Sequence, residues 1–242
     1  MNKYIITSII LTLSFSVNAQ NWWKNKRVKG NGNVITKTRT ISDFDKVDVG
    51  GSFDVILVKG EERKITINGE ENIIKYVETK VFKNNLQVKY QNNTSLSTTK
   101  KLTVTIMYND IEEISLSGSG NIINKGVLNN SNLEIRLGGS GNITLHIDSG
   151  EVQSSIAGSG NIKLQGKSNE LECSIAGSGN IKAYGLITNI LSATITGSGN
   201  IKSTVKNEIK AKVIGSGNIY YKGNPSYVDS KSLGSGDVIN KN

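Results

Sequence analysis

The chain has 242 residues, a formal net charge of +9, 26 glycines, one proline, one cysteine and one histidine. A lone Cys173 and a lone His146 exclude an intrachain disulfide and the usual zinc sites, and they leave no basis for a Cys/His nucleophile pair. The basic excess is mostly lysine, with arginine only at Arg27, Arg39, Arg63 and Arg136, so solubility accounts for much of it.

At the N-terminus Lys3 precedes a mostly apolar run over residues 4–17, and Val17-Asn18-Ala19 places small or branched residues at the cleavage positions. This pattern predicts a secretory signal peptide over 1–19, cut after Ala19 for export by the Sec route. The run is shorter than the roughly 20 residues of a membrane span, and no later stretch is apolar enough to be one. No cysteine follows the cut, so no lipid anchor is expected there. The expected location is the periplasm, the cell surface or the extracellular space, and export disfavours nucleic acid as the partner of the basic surface. Residues 20–40 are polar, with Trp22, Trp23 and the basic run Lys24, Lys26, Arg27, Lys29, and read as a flexible leader. From Ile41 the chain reads as strands, with candidates at 55–58, 64–67, 86–90 and 102–107 and one short helix over 70–76.

From Ile114 a repeat takes over. Gly-Ser-Gly-Asn begins at Gly118, Gly139, Gly158, Gly177, Gly197 and Gly215, and a seventh copy at Gly234 ends in Asp237; the spacings are 21, 19, 19, 20, 18 and 19 residues. A near-fixed period of this length indicates a solenoid. Four positions after the first glycine stand Ile122, Ile143, Ile162, Ile181, Ile201, Ile219 and Val238. Two before it stand Leu116, Leu137, Ile156, Ile175, Ile195 and Val213, and only Ser232 breaks that column. Polar residues occupy the positions three and five before it. Apolar and polar residues thus alternate with period two, the signature of a half-buried strand, and the β-branched content argues against a helix. The position four before the glycine faces inward and becomes small after two copies, through Ser154, Cys173, Ala193 and Ala211. Cys173 therefore reads as a buried structural residue rather than a reactive thiol.

One coil per repeat stacks equivalent residues about 4.8 Å apart. The glycines suit a sharp corner. Asn121, Asn142, Asn161, Asn180, Asn200 and Asn218 then form a structural asparagine ladder along that corner, and a ligand-binding stripe is the sharper alternative for the same residues. Segment 47–55, Val47-Asp48-Val49-Gly50-Gly51-Ser52-Phe53-Asp54-Val55, fits the repeat in degenerate form, with Val49 and Val55 in the two apolar columns. The expected organisation is an irregular cap over 41–113, closing one end of the stack, followed by regular coils over 114–242.

Residues 44–58 (FDKVDVGGSFDVILV), together with the later Gly-Ser-Gly-Asn-Ile copies, resemble the family described as putative auto-transporter adhesin, head GIN domain. The likeness runs from about Ile41 to the C-terminus. It implies a single domain folded as a right-handed parallel β-helix; the spacing alone gives a β-helix without its hand.

Three functions are compatible with such a chain: a non-catalytic binding or adhesion module, a structural envelope component, and a polysaccharide-acting β-helix enzyme. An enzyme would need clustered carboxylates, and by column the acidic residues look dispersed, with Gln153 between Glu134 and Glu172. No enzyme activity, metal or cofactor is expected. One column stands out. Lys163, Lys182 and Lys202 occupy consecutive coils, and like charges about 5 Å apart repel by ~0.8 kcal/mol even in water. An anionic glycan or cell-surface partner laid along the axis would relieve this; lysines splayed into solvent, where they blunt aggregation, are the plainer explanation. Tyr220, Tyr221 and Tyr227 could stack on sugar rings or pack the end of the solenoid.

Overall fold

The structure, a computed structural model, describes residues 26–60 and 63–242. The expected signal peptide over 1–19 and the first residues of the leader lie outside them.

The chain opens with β1 (Lys26–Lys29) and β2 (Val34–Thr40), then enters the stack through β3 (Lys46–Gly51) and β4 (Asp54–Lys59). It leaves again into β5 (Lys64–Glu70), a single helical turn α1 (Glu71–Ile74), β6 (Val77–Phe82), β7 (Asn85–Tyr90), β8 (Thr94–Ser97) and β9 (Thr103–Tyr108). β10 (Glu113–Gly118), β11 (Asn121–Lys125) and β12 (Leu128–Gly139) begin the regular coils. The long strands β13 (Asn142–Gly158), β14 (Asn161–Gly177), β15 (Asn180–Gly197) and β16 (Asn200–Gly215) each cover almost a whole coil. β17 (Asn218–Lys222), β18 (Tyr227–Gly234) and β19 (Val238–Asn240) complete the last one. The result is a parallel β-solenoid of about seven turns, 74% strand and 2% helix.

Each coil pairs in parallel with the next, and the repeat columns are the register. Leu116 lies opposite Leu137, Ile143 opposite Ile162, and Ile181 opposite Ile201. Val49 and Val55 pair with Leu116 and Ile122, so segment 47–55 is a coil of the same stack. The two apolar columns are almost wholly buried, as are Ser154, Cys173 and Ala193 in the narrow column.

Below β3 and β4 the stack continues for one more layer, since β3 pairs in parallel with β7 and β4 with β9. Antiparallel strands then close it: β6 on β7, β5 on β9 and β2 on β5. Residues 26–40 are therefore not a free leader, which corrects the reading of 20–40 for its described part. β1 pairs in parallel with β8, and all seven residues of β2 pair with β5. The Arg39 guanidinium donates to the Val77 carbonyl (2.6 Å), the Ile74 carbonyl (3.1 Å) and Thr79 Oγ1 (3.0 Å), binding β2 to the end of α1 and to β6. The segment is polar because it is an outer strand with one face in water, not because it is unstructured.

Candidate binding face

The site is built on the glycine corner. The first glycine of each copy takes a positive φ, for example +119° at Gly139 and +130° at Gly177. Its carbonyl oxygen then accepts two N–H groups from the next coil: Ser140 and Gly141 donate to Gly118 at 3.1 and 2.9 Å. A Cβ on Gly139 would stand 2.6 Å from the Gly118 oxygen, closer than any side chain can sit, so coils can approach here only as glycine. The asparagine that follows does not take the left-handed conformation that its residue type would tolerate; the glycine alone supplies it.

Free of that task, the asparagines bond along the axis. Asn142 Nδ2 donates to Asn121 Oδ1 at 2.9 Å, Asn161 to Asn142 at 3.1 Å, Asn180 to Asn161 at 3.2 Å and Asn200 to Asn180 at 3.1 Å. At the foot Asn121 donates to Asp54 Oδ1 at 2.6 Å, and Lys101 pairs with the other oxygen of Asp54 at 2.7 Å. Burial opposes ionisation of Asp54, but the Asn121 bond and the Lys101 ammonium outweigh it and hold the carboxyl below its ordinary value. At the other end the pattern changes: the backbone N–H of Asn218, not its side chain, donates to Asn200 Oδ1. With their amides committed to one another, Asn142 to Asn200 serve the stack first.

Two residues further along each coil the side chains point outward again. Lys163, Lys182 and Lys202 are register partners in three consecutive coils, and among the described residues none has an acidic partner. The column continues into Tyr220, opposite Lys202. Here an open groove of about 590 Å³ lies between the lysines and two tyrosine rings, Tyr184 and Tyr220, with Asn180 and Asn200 on its floor. Lys202 Nζ and Lys241 Nζ lie 5.7 and 5.5 Å from the Tyr220 ring centroid, and Lys222 Nζ lies 5.2 Å from that of Tyr184. Burial, and then the neighbouring Tyr220, raises the Tyr184 phenol above its ordinary value, which keeps it neutral. The other two tyrosines lie apart: Tyr221 packs on the core and Tyr227 is exposed on the final coil.

The acidic residues, which looked dispersed, do gather on another face. Glu151 and Glu170 are register partners, and Glu112, Glu113, Glu134 and Glu151 line one groove. They spread over three neighbouring columns: Glu113 and Glu134 five positions before the glycine, Glu112 six, and Glu151 and Glu170 seven. Arg136 binds Glu113 and, at 2.5 Å, Glu134, while Lys46 reaches Glu113 at 3.7 Å. Much of this charge neutralises the chain's own cations. Among the described residues no group of three or more His, Cys, Asp or Glu is placed to hold a metal. Cys173 is buried, and burial, then the Glu172 charge, pushes its thiol up, away from the nucleophilic thiolate.

The family model described as putative auto-transporter adhesin, head GIN domain, matches residues 43–225. The chain belongs to this family. Among solved structures it is similar to a putative adhesin from Bacteroides fragilis, 26% identical with a TM-score of 0.85, the match covering 88% of this chain and all of that one. A putative adhesin from Parabacteroides merdae is 28% identical over 90% of this chain and all of that one, with a TM-score of 0.74. A protein from Parabacteroides distasonis, named as a putative lipid binding protein, is 26% identical over the same shares, with a TM-score of 0.76. No curated protein matches. Among the described residues of this family member, no helix is long and apolar enough to cross a membrane.

Proposed function

We propose that this head GIN domain chain is an exported, non-catalytic adhesion module, at the cell surface or in the periplasm, that takes an acidic polysaccharide along the Lys163–Lys182–Lys202 column. The observation that carries the reading is the register itself: three lysines without acidic partners among the described residues, at one-coil spacing, Lys163 and Lys182 exposed and Lys202 half-buried, with a groove at one end of the column. A polyanion laid along the axis meets a cation at every coil and offsets their mutual repulsion. The adhesin names of the family and of two neighbours agree with a binding role. The carboxylates do not favour an enzyme, because Glu113 and Glu134 share one guanidinium of their own chain.

The test is calorimetric titration with polygalacturonate, alginate and dextran sulfate, against neutral dextran and against vesicles with and without anionic lipid. Binding to the acidic glycans is expected, weakening as salt rises. Replacing Lys163, Lys182 and Lys202 with Gln should cost at least about tenfold in affinity, roughly 1.4 kcal/mol, and flatten the salt dependence, with thermal stability unchanged or slightly higher. If the triple variant binds every acidic glycan as the parent does, the column is a solvated face. Binding to anionic vesicles alone would replace the polysaccharide with a lipid surface, the ligand class named for the Parabacteroides distasonis neighbour.

A further inference from the structure

The coil between Gly177 and Gly197 is 20 residues long and the next is 18. The difference is absorbed at two neighbouring register shifts. Against β14 the register of β15 shifts between Lys163 and Gln165, and against β16 it shifts between Ala183 and Ile187. Against β14 the shift gives β15 one extra residue; against β16 it leaves Tyr184, Gly185 and Leu186 unpaired, and a second shift between Thr188 and Ile190 returns one. Leu186 turns into the core and is fully buried, while Tyr184 stays outside, half-buried, with its carbonyl accepting from Thr204 Oγ1 at 2.9 Å. A bulge of this kind re-aims a side chain that a regular coil would leave in its column. It sends the Tyr184 ring across the adjacent coil to Lys222, which lies beyond Thr204 in the stack.

The groove it enters has an unusual composition. Two aromatic rings, Tyr184 and Tyr220, stand among four ammonium groups, those of Lys182, Lys202, Lys222 and Lys241, and its lining holds no carboxylate. Three of those ammoniums rest against ring faces. Such contacts are weak at an exposed site, weaker than a charge-assisted hydrogen bond to an anion. An arriving carboxylate or sulfate would draw the lysines off the rings and uncover two flat faces. A ring face is electron-rich and repels a bare anion. It suits instead the polarised C–H groups on one side of a pyranose.

We infer that this bulge-built groove is a subsite for an acidic pyranose residue, with Tyr184 and Tyr220 taking the sugar's C–H faces and the surrounding lysines its carboxylate or sulfate. The inference rests on the acidic-polysaccharide reading and narrows it. The lysine column sets charge and axis, and the groove recognises that the polyanion is made of sugar rings.

The experiment compares two probes, oligogalacturonate and linear polyphosphate, by titration calorimetry. The double change Tyr184→Leu with Tyr220→Leu should weaken oligogalacturonate about tenfold, the size of a lost contact near 1.4 kcal/mol, and leave polyphosphate unchanged. Unchanged polyphosphate binding also shows that the variant is folded. Tyr184→Phe with Tyr220→Phe keeps both ring faces and should bind both probes like the parent. The subsite is overturned if the Leu variant binds oligogalacturonate as the parent does, or loses both probes equally. In either case the lysine-column reading stands as long as the parent binds in a salt-dependent way. A parent that binds neither probe nor any acidic glycan removes both.

Discussion

Between Val34 and Tyr108 the chain doubles back on itself, and β2, β5, β6, β7 and β9 pair antiparallel; from Glu113 onward every pairing is parallel and one coil apart. Both regions bury apolar columns completely, Ile65, Ile67 and Ile106 in the cap as well as Ile162, Ile181 and Ile201 in the coils. What differs is how the backbone is held where strands end. The coils use one device many times, a glycine corner with an asparagine beside it. The cap uses single, unrepeated side chains, and Arg39 and Glu70 each tie together segments far apart in sequence. The coils should therefore fail wherever the corner is altered, and the cap only at its few ties.

The largest effect is expected at the corner. In Gly177→Ala the new Cβ would stand 2.5 Å from the Gly158 carbonyl oxygen, on a residue with φ of +130°. Backbone cannot yield as the tip of a side chain can, and the loss should be about 4 kcal/mol or more, or folding should fail. Gly126→Ala is the control. Its φ is +81°, with nothing within 4 Å of the new atom, so only conformational strain of about 1 kcal/mol remains. Equal losses in urea denaturation would show that close approach, as distinct from positive φ, is not what keeps glycine at the corner.

A smaller and pH-dependent effect is expected in the cap. The Glu70 carboxylate accepts from the Thr99 hydroxyl at 2.6 Å and from the backbone N–H groups of Thr99, Gly32 and Lys100 at 2.8, 2.7 and 3.2 Å. The Thr99 hydroxyl bond leads; burial opposes it, the N–H groups reinforce it, and together they hold the carboxyl down from an ordinary 4.5 to about 2. A depressed carboxyl stabilises the fold fully above its unfolded value and loses that contribution as pH falls. Amide exchange over residues 30–40 should thus rise between pH 4.5 and pH 2 while β14 and β15 hold. Glu70→Gln should already show the faster exchange at pH 7 and lose the pH step. A step that survives in Glu70→Gln would place its origin in another carboxylate, Asp54 first.

The contrast also explains what could be read from the sequence. Columns of Ile and Leu, the degenerate copy at Val49 and Val55, and the small column through Cys173 all follow from period and alternation, because in a solenoid a sequence column is a spatial stack. Antiparallel pairing leaves no such trace. The pairing of β2 with β5 is invisible in a polar segment, although the alternation of Thr36, Thr38 and Thr40 hinted at a strand. At the face itself, Lys163, Lys182 and Lys202 lie in one column and could be aligned by counting. Tyr184 could not, because the bulge moves it out of its column. The one signal was the spacing of 20 residues followed by 18. The acidic groove escapes a column-by-column reading for a simpler reason: its carboxylates are spread over three neighbouring columns.

The smallest effect separates the buried hydroxyls of the coils from one another. Ser154 and Ser203 lie in the interior and their Oγ atoms have no partner, whereas Ser168, equally enclosed, donates to Thr188 Oγ1 at 3.1 Å, which in turn donates to the Ile190 carbonyl at 3.0 Å. A buried hydroxyl without a partner carries its desolvation cost uncompensated. Ser154 stands between Ile135 and Cys173 in the narrow column, where Ala193 and Ala211 already serve two and three coils on. Ser154→Ala removes the stranded oxygen, leaves a void smaller than a methyl group, and should raise stability by about 1 kcal/mol. Ser168→Ala breaks a satisfied pair, strands Thr188 as an acceptor, and should lower stability by a similar amount. Opposite signs in urea denaturation are the expected result. Two losses of equal size would mean that the Ser154 hydroxyl contributes by filling space, and that the narrow column tolerates no removal even where chemistry favours it.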